Sequence, residues 1–253
     1  MLVIRKEQIE ILEGEMMKSF EDEMVEHLAE FSPALFKVIK DEQMREVVRF
    51  GIKRSDEEYG FTFRGPIRLY LELMLLFGSH FDSDPQYPWA IQILKTDAVQ
   101  MDRAEQLHAK TLDYQEKVSG PDGVNTRKAL EQLSFMTREP RQLFTGDFDT
   151  GIRQEMKRVF PQKASYIGED SLTGLIREGR VVSEKYEFPT VRGRALMVVL
   201  MFAFGHGCSN DLLYPWISRT LTDERIIEPA AREERLEKKA TTWLEHVLSN
   251  PRE

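Results

Sequence analysis

Shifting the chain by 127 residues lays Leu69, Leu73, Met74, Phe77, Gly78, Asp84, Tyr87, Pro88, Trp89 and Leu94 on Leu196, Leu200, Met201, Phe204, Gly205, Asp211, Tyr214, Pro215, Trp216 and Leu221. These are ten identities across the 26 positions 69–94, where composition alone gives roughly one or two. A Tyr-Pro-Trp triplet at a matched distance from a Phe-Gly pair points to an internal duplication. Upstream, Tyr59 and Phe61 fall on Tyr186 and Phe188, and one residue of slippage puts Arg49 and Gly51 on Arg177 and Gly179. Such a chain is expected to fold as two similar units. The reading is a first repeat module over 1–97, a connecting helix and linker over 98–127, a second module over 128–225 and a C-terminal helix over 226–253.

The apolar spacing is helical throughout, so the expected fold class is all-α, with the two modules packed as one body. Ile9, Leu12, Met16, Phe20, Met24, Leu28 and Phe31 recur at steps of three or four, which lines one face of a helix. Ser32-Pro33 ends that helix, and Asp41 is placed to cap the next, which carries Met44, Val47, Val48 and Ile52. Further helices are read over 67–77, 98–118, 125–133, 152–160, 172–182, 193–204, from about Trp216, and over 229–248. The turn Ser119-Gly120-Pro121-Asp122-Gly123 is the clearest break, and 144–151 reads as a loop. No segment alternates with period two between hairpin turns, so strands are not expected.

Within each repeat an apolar helix ends at a glycine, Gly78 or Gly205, which can take a left-handed exit. A short loop follows, and Asp84 or Asp211 reads as the cap of the next helix, whose first turn tolerates Pro88 or Pro215. The Tyr-Pro-Trp triplet is then a helix–loop–helix corner, with Trp89 resting on the preceding helix.

Composition narrows the class. With 253 residues, 41% hydrophobic and 31% charged, the chain suits a folded globular protein. Its single cysteine excludes an internal disulfide framework and a cysteine-rich zinc site. The formal charge of -8 disfavours a nucleic-acid partner and suits a basic protein one. Charges start at Arg5, with no signal-peptide pattern. The longest apolar run, 195–204, is about half of the roughly 20 residues a bilayer span needs. No membrane partner is expected, and the cytoplasm is the expected compartment.

No catalytic signature stands out. His80-x-Asp82-x-Asp84 could suggest a metal loop, but the repeat has Gly207, Ser209 and Asp211 there, so a loop with one capping Asp is the simpler reading. Asp147-Phe148-Asp149 lacks the glycine and terminal glutamate of a calcium loop. Gly205-His206-Gly207-Cys208-Ser209 does not match a nucleophile elbow. Cys208 follows an apolar helix and reads as a buried, inert thiol. Glu105-x-x-His108 is a single copy of a pattern that a di-iron bundle needs twice. No cofactor, metal or catalytic residue is therefore assigned.

The opening Ile4-Arg5-Lys6-Glu7-Gln8, the helix Phe20-x3-Met24-x2-His27-Leu28 and the corner Phe81-Asp82-x-Asp84-Pro85-x2-Pro88-Trp89-Ala90-x2-Ile93-Leu94 resemble bacterial proteins encoded beside type VI secretion effectors. The resemblance covers mainly the first hundred residues. It implies a non-enzymatic helper: an immunity protein that neutralises a cognate secreted toxin, or an adaptor that loads one. An acidic inhibitor suits a nuclease toxin, which must present cations to phosphates. The expected contact residues are the acidic pairs Asp82 with Asp84 and Asp147 with Asp149, and the aromatics Tyr87 and Tyr214. The amphipathic C-terminal helix bearing Trp243 suits packing within the chain as well as in a homodimer.

Overall fold

The computed structural model describes residues 6–138 and 146–249, with side chains over 14–136 and 146–249. Ile4, Arg5 and Phe144 lie outside these residues. The chain is all-α. Among the described residues eleven helices follow one another: α1 Lys6–Phe31, α2 Pro33–Tyr59, α3 Arg64–Phe77, α4 Pro88–Leu94, α5 Gln100–Tyr114, α6 Val124–Arg138, α7 Phe148–Val159, α8 Pro161–Lys185, α9 Val191–Phe204, α10 Pro215–Leu221 and α11 Pro229–Ser249. Short 3-10 turns at 81–83 and 208–210 stand between α3 and α4 and between α9 and α10. No strand occurs among the described residues, and none of their helices is long and apolar enough to cross a membrane.

The backbone takes the same turns at matched places. Gly78 (φ 97, ψ 153) and Gly205 (φ 96, ψ 152) end α3 and α9. Tyr87 (φ -128, ψ 57) and Tyr214 (φ -124, ψ 55) precede α4 and α10. One residue of slippage aligns the kinks at Lys40 (φ 66, ψ 173) and Gly168 (φ 78, ψ 174) inside α2 and α8. The break expected at Asp41 is thus a kink one residue earlier, within a single assigned helix.

The helices α5 and α11, which the sequence reading places in the connector and at the C-terminus, make similar contacts 129 residues apart. Arg103 and Arg232 each donate to a carbonyl just upstream, that of Leu94 at 2.7 Å and that of Ile226 at 2.6 Å. Leu107 and Leu236 are both fully buried. Tyr114 meets Phe77 edge-on with centroids 4.9 Å apart, and Trp243 meets Phe204 at 4.7 Å. Trp243 is therefore packed within the chain, where it also stacks on Trp216.

The helices bury one continuous core. Leu71, Leu73 and Met74 of α3 are fully shielded, as are Met197 and Val198 of α9. Burying such side chains is worth about 1.5–3 kcal/mol each. α9 is apolar around most of its circumference because α8, α7 and α11 all pack on it. The helix α6 lies along α11, and among the described residues it has no counterpart along α5. Its seat is the groove where Leu133 and Met136 meet Ala195, Leu196 and Val199. Arg192 closes that groove by donating to Glu237 and to the Met136 carbonyl.

Candidate functional site

The densest polar cluster lies where the loops after α3 and α9 touch. Both helices end at glycines that approach so closely that a side chain has no room. A Cβ on Gly78 would stand 2.6 Å from the Phe204 carbonyl oxygen, and one on Gly205 would stand 2.7 Å from that of Phe77. The loops then trade acceptors. Asp84 Oδ2 accepts the His206 backbone N–H at 2.7 Å, while Asp211 Oδ2 accepts the Ser79 backbone N–H at 2.8 Å. The other oxygens also take local amides: Asp84 Oδ1 accepts the Gln86 N–H and Asp211 Oδ1 accepts the Leu213 N–H, both at 2.8 Å. The Gln86 side-chain amide and the Ser79 hydroxyl add a third donor to each carboxylate. Burial pushes both carboxyls up, and their N–H donors pull the other way.

This geometry corrects the expected cap. Asp84 and Asp211 sit too far upstream to cap α4 and α10, which start after Tyr87 and Tyr214 without a side-chain cap. Their oxygens instead satisfy loop amides that no helix or strand would otherwise pair.

A second carboxylate, Asp82, is fully buried between helices of the first half. Arg54 Nε donates to it at 2.7 Å, Tyr59 Oη at 2.7 Å and Tyr70 Oη at 2.9 Å. Burial alone would raise this carboxyl, but the Arg54 and Tyr59 hydrogen bonds, the Arg54 charge and the Tyr70 hydroxyl outweigh it and hold it below the usual range. Burial and Asp82 together push both tyrosines up.

On the other flank Lys163 is buried. Its Nζ donates to the Phe202 carbonyl at 2.5 Å and lies 5.0 Å from the Phe202 ring centroid and 5.4 Å from that of Tyr87. It completes the last turn of α9, where a cation meets the negative end of the helix dipole. Burial lowers its pKa to about 8 against the pull of Asp84.

At the rim, Ser83 Oγ lies 3.2 Å from His206 Nε2 and 3.2 Å from the His80 carbonyl oxygen. The His80 and His206 rings meet edge-on at 6.5 Å, and burial pushes the His80 imidazole down. Cys208 is fully buried, and burial, then Asp211 and Asp84, drive its thiol far up. Among the described residues no group of three or more His, Cys, Asp or Glu is placed to hold a metal ion. Chemically, the cluster is a set of carboxylates saturated by donors that join two loops.

Of the residues expected to touch a partner, Asp82, Asp84, Tyr87 and Tyr214 are buried. No partner surface reaches them in this conformation; Tyr87 packs on Phe77 at 4.6 Å and Tyr214 on Phe204 at 4.6 Å. Asp147 is exposed and caps α7, accepting the Thr150 N–H at 2.9 Å. Asp149 lies in the first turn of α7 rather than in a loop, paired with Arg180 at 2.5 Å. Arg54, Ser79, Gln86 and Lys163, which complete the cluster, carry no local sequence pattern. The one available signal is the shared six-residue spacing of Gly78 to Asp84 and of Gly205 to Asp211.

Comparison with protein-family models, with characterised proteins and with solved structures finds no match.

Proposed function

We propose that this chain is a non-enzymatic protein-binding protein that neutralises a cognate type VI secretion toxin, acting as an immunity protein. The carrying observation is how its most suggestive acids are used. Asp82 and Asp84, in the corner on which the resemblance rests, are each saturated by three donors and buried. Spending them this way favours a rigid scaffold over a reaction centre, because a catalytic carboxylate has to reach a substrate proton. A rigid scaffold also lowers the ordering cost of binding. The formal charge of -8 suits a toxin whose active surface presents cations to nucleic acid. Binding occludes that surface.

The test is to express the product of the neighbouring reading frame with and without this protein, scoring cell survival and complex formation together. Rescue with a stable complex is the expected result. A complex without rescue transfers the reading to an adaptor, and neither result sinks both.

A further inference from the structure

The matched helices α5 and α11 are treated differently by the rest of the chain. On α11, which packs on α6, the stripe Glu237, Thr241 and Leu244 runs from half-buried to buried, and Leu244 keeps only 3% of its surface. Shifted by 129 residues, the same stripe on α5 is His108, Leu112 and Gln115, and all three are exposed. Leu112 exposes 51% of its surface and Met101, on the same stripe, 53%. Phe63 and Val99 widen the apolar end, because Gln100 Oε1 accepts the Thr62 and Phe63 backbone N–H groups and draws the two segments together. The first half thus leaves bare a helix face that the second half covers with a helix.

The order of residues along this stripe selects the occupant. Met101, Glu105, His108 and Leu112 follow one another at i, i+4, i+7 and i+11, which places them in one line on a helix. The line reads apolar, acidic, imidazole, apolar, and its reverse is complementary to it. Two such helices packed antiparallel about a two-fold axis near Gln106 set Met101 against Leu112 of the second copy. The same operation sets the Glu105 carboxylate against the His108 ring N–H of the second copy. Each contact occurs twice, as an isologous interface requires. Helices packed about 8–10 Å apart bring these side chains into contact.

We propose that the Met101–Leu112 face of α5 is a self-complementary dimer surface whose occupant is α5 of a second copy of this chain. The proposal stands independently of the toxin-binding reading. It moves the homodimer surface from α11, whose Trp243 is packed internally, to α5.

Sedimentation equilibrium of the full chain tests it. At roughly 100 µM protein, a concentration that detects micromolar association, the wild type is expected at twice the chain mass. Met101→Glu with Leu112→Glu is expected to weaken the association by about 100-fold or more, about 2.8 kcal/mol, while its thermal midpoint matches that of wild type diluted until it too is monomeric. Glu105→Arg is expected to weaken it about tenfold, and adding His108→Glu is expected to restore it. A wild-type monomer throughout, or a dimer indifferent to Met101→Glu with Leu112→Glu, overturns the proposal. So does a monomer whose complex with the neighbouring gene product is lost in that variant, a result that would assign the face to that product.

Discussion

Asp84 and Asp211 hold each other's loops. The Oδ2 of Asp84 takes the N–H of His206, 122 residues away, and the Oδ2 of Asp211 takes that of Ser79, 132 residues away. Ser79 and His206 are themselves 127 residues apart, the shift at which the two sequences align. The exchange is therefore reciprocal, and both carboxylates hold the same pair of loops together. Hydrogen bonds to ionised groups contribute about 1.5–3 kcal/mol each when buried donors would otherwise go unpaired.

The seam needs glycine on both sides. Gly78→Ala and Gly205→Ala each put a methyl group on the opposite carbonyl and force alanine into a positive φ. Each is expected to lose about 2–4 kcal/mol of stability, read as a fall in the urea midpoint. A loss under about 0.5 kcal/mol in both would show that the loops do not approach this closely.

Arg54 neutralises Asp82, so removing it strands a buried anion. Arg54→Met is expected to cost about 3–5 kcal/mol at neutral pH. Asp82 is held below its ordinary range in the folded chain. Its contribution is therefore present above the unfolded carboxyl value and lost as pH falls through the folded one. The gap between wild type and Arg54→Met is expected to be widest near neutrality and to narrow below about pH 4. Urea unfolding at several pH values measures it, and a pH-independent gap contradicts the assignment.

Lys163 is depressed by burial rather than by pairing, in a higher pH window. Its folded pKa of about 8 lies below the usual 10.5, so between these values the unfolded chain binds more protons and stability rises with pH. From pH 8 to about 9.5, below the tyrosine range, the wild type is expected to gain on Lys163→Met by up to about 1.4 kcal/mol per pH unit. Parallel stability curves for the two proteins would place the ammonium in water.

Cys208 should be silent to thiol reagents. Its sulfur is fully buried and its pKa is raised by burial and by Asp211 and Asp84, so the reactive thiolate is scarce. Native protein is expected to resist labelling at pH 8 over times in which urea-unfolded protein labels completely. Equal rates would show the thiol exposed.

The fold was legible where apolar spacing and punctuation agreed. The stripe from Met16 to Phe31 foretold α1, and Gly78 and Gly205 foretold the ends of α3 and α9, because a helix exit and a glycine are coupled locally. The repeat marks Asp84 and Asp211, but local spacing suggests only a local role for them. The spacing of Asp84 from Pro85 and Pro88 resembles a capped helix start, and no local rule says that an aspartate will prefer an amide 122 residues away. Likewise the acids of the Phe81–Asp84 corner looked available because acidic residues are mostly exposed. Arg54, Tyr59 and Tyr70, which draw Asp82 inward, come from two other helices. A helix over 98–118 is legible in the sequence, but the exposure of its Met101–Leu112 face shows only in the folded chain.

The Asp84–Asp211 exchange joins the loops after α3 and α9, and a double-mutant cycle on Asp84→Ala and Asp211→Ala tests this joint most directly. Each single variant opens the same contact, so the double variant is expected to cost at least about 1 kcal/mol less than the two losses added together. Losses that add within about 0.3–0.5 kcal/mol would mean that the two carboxylates act independently and that no shared seam exists.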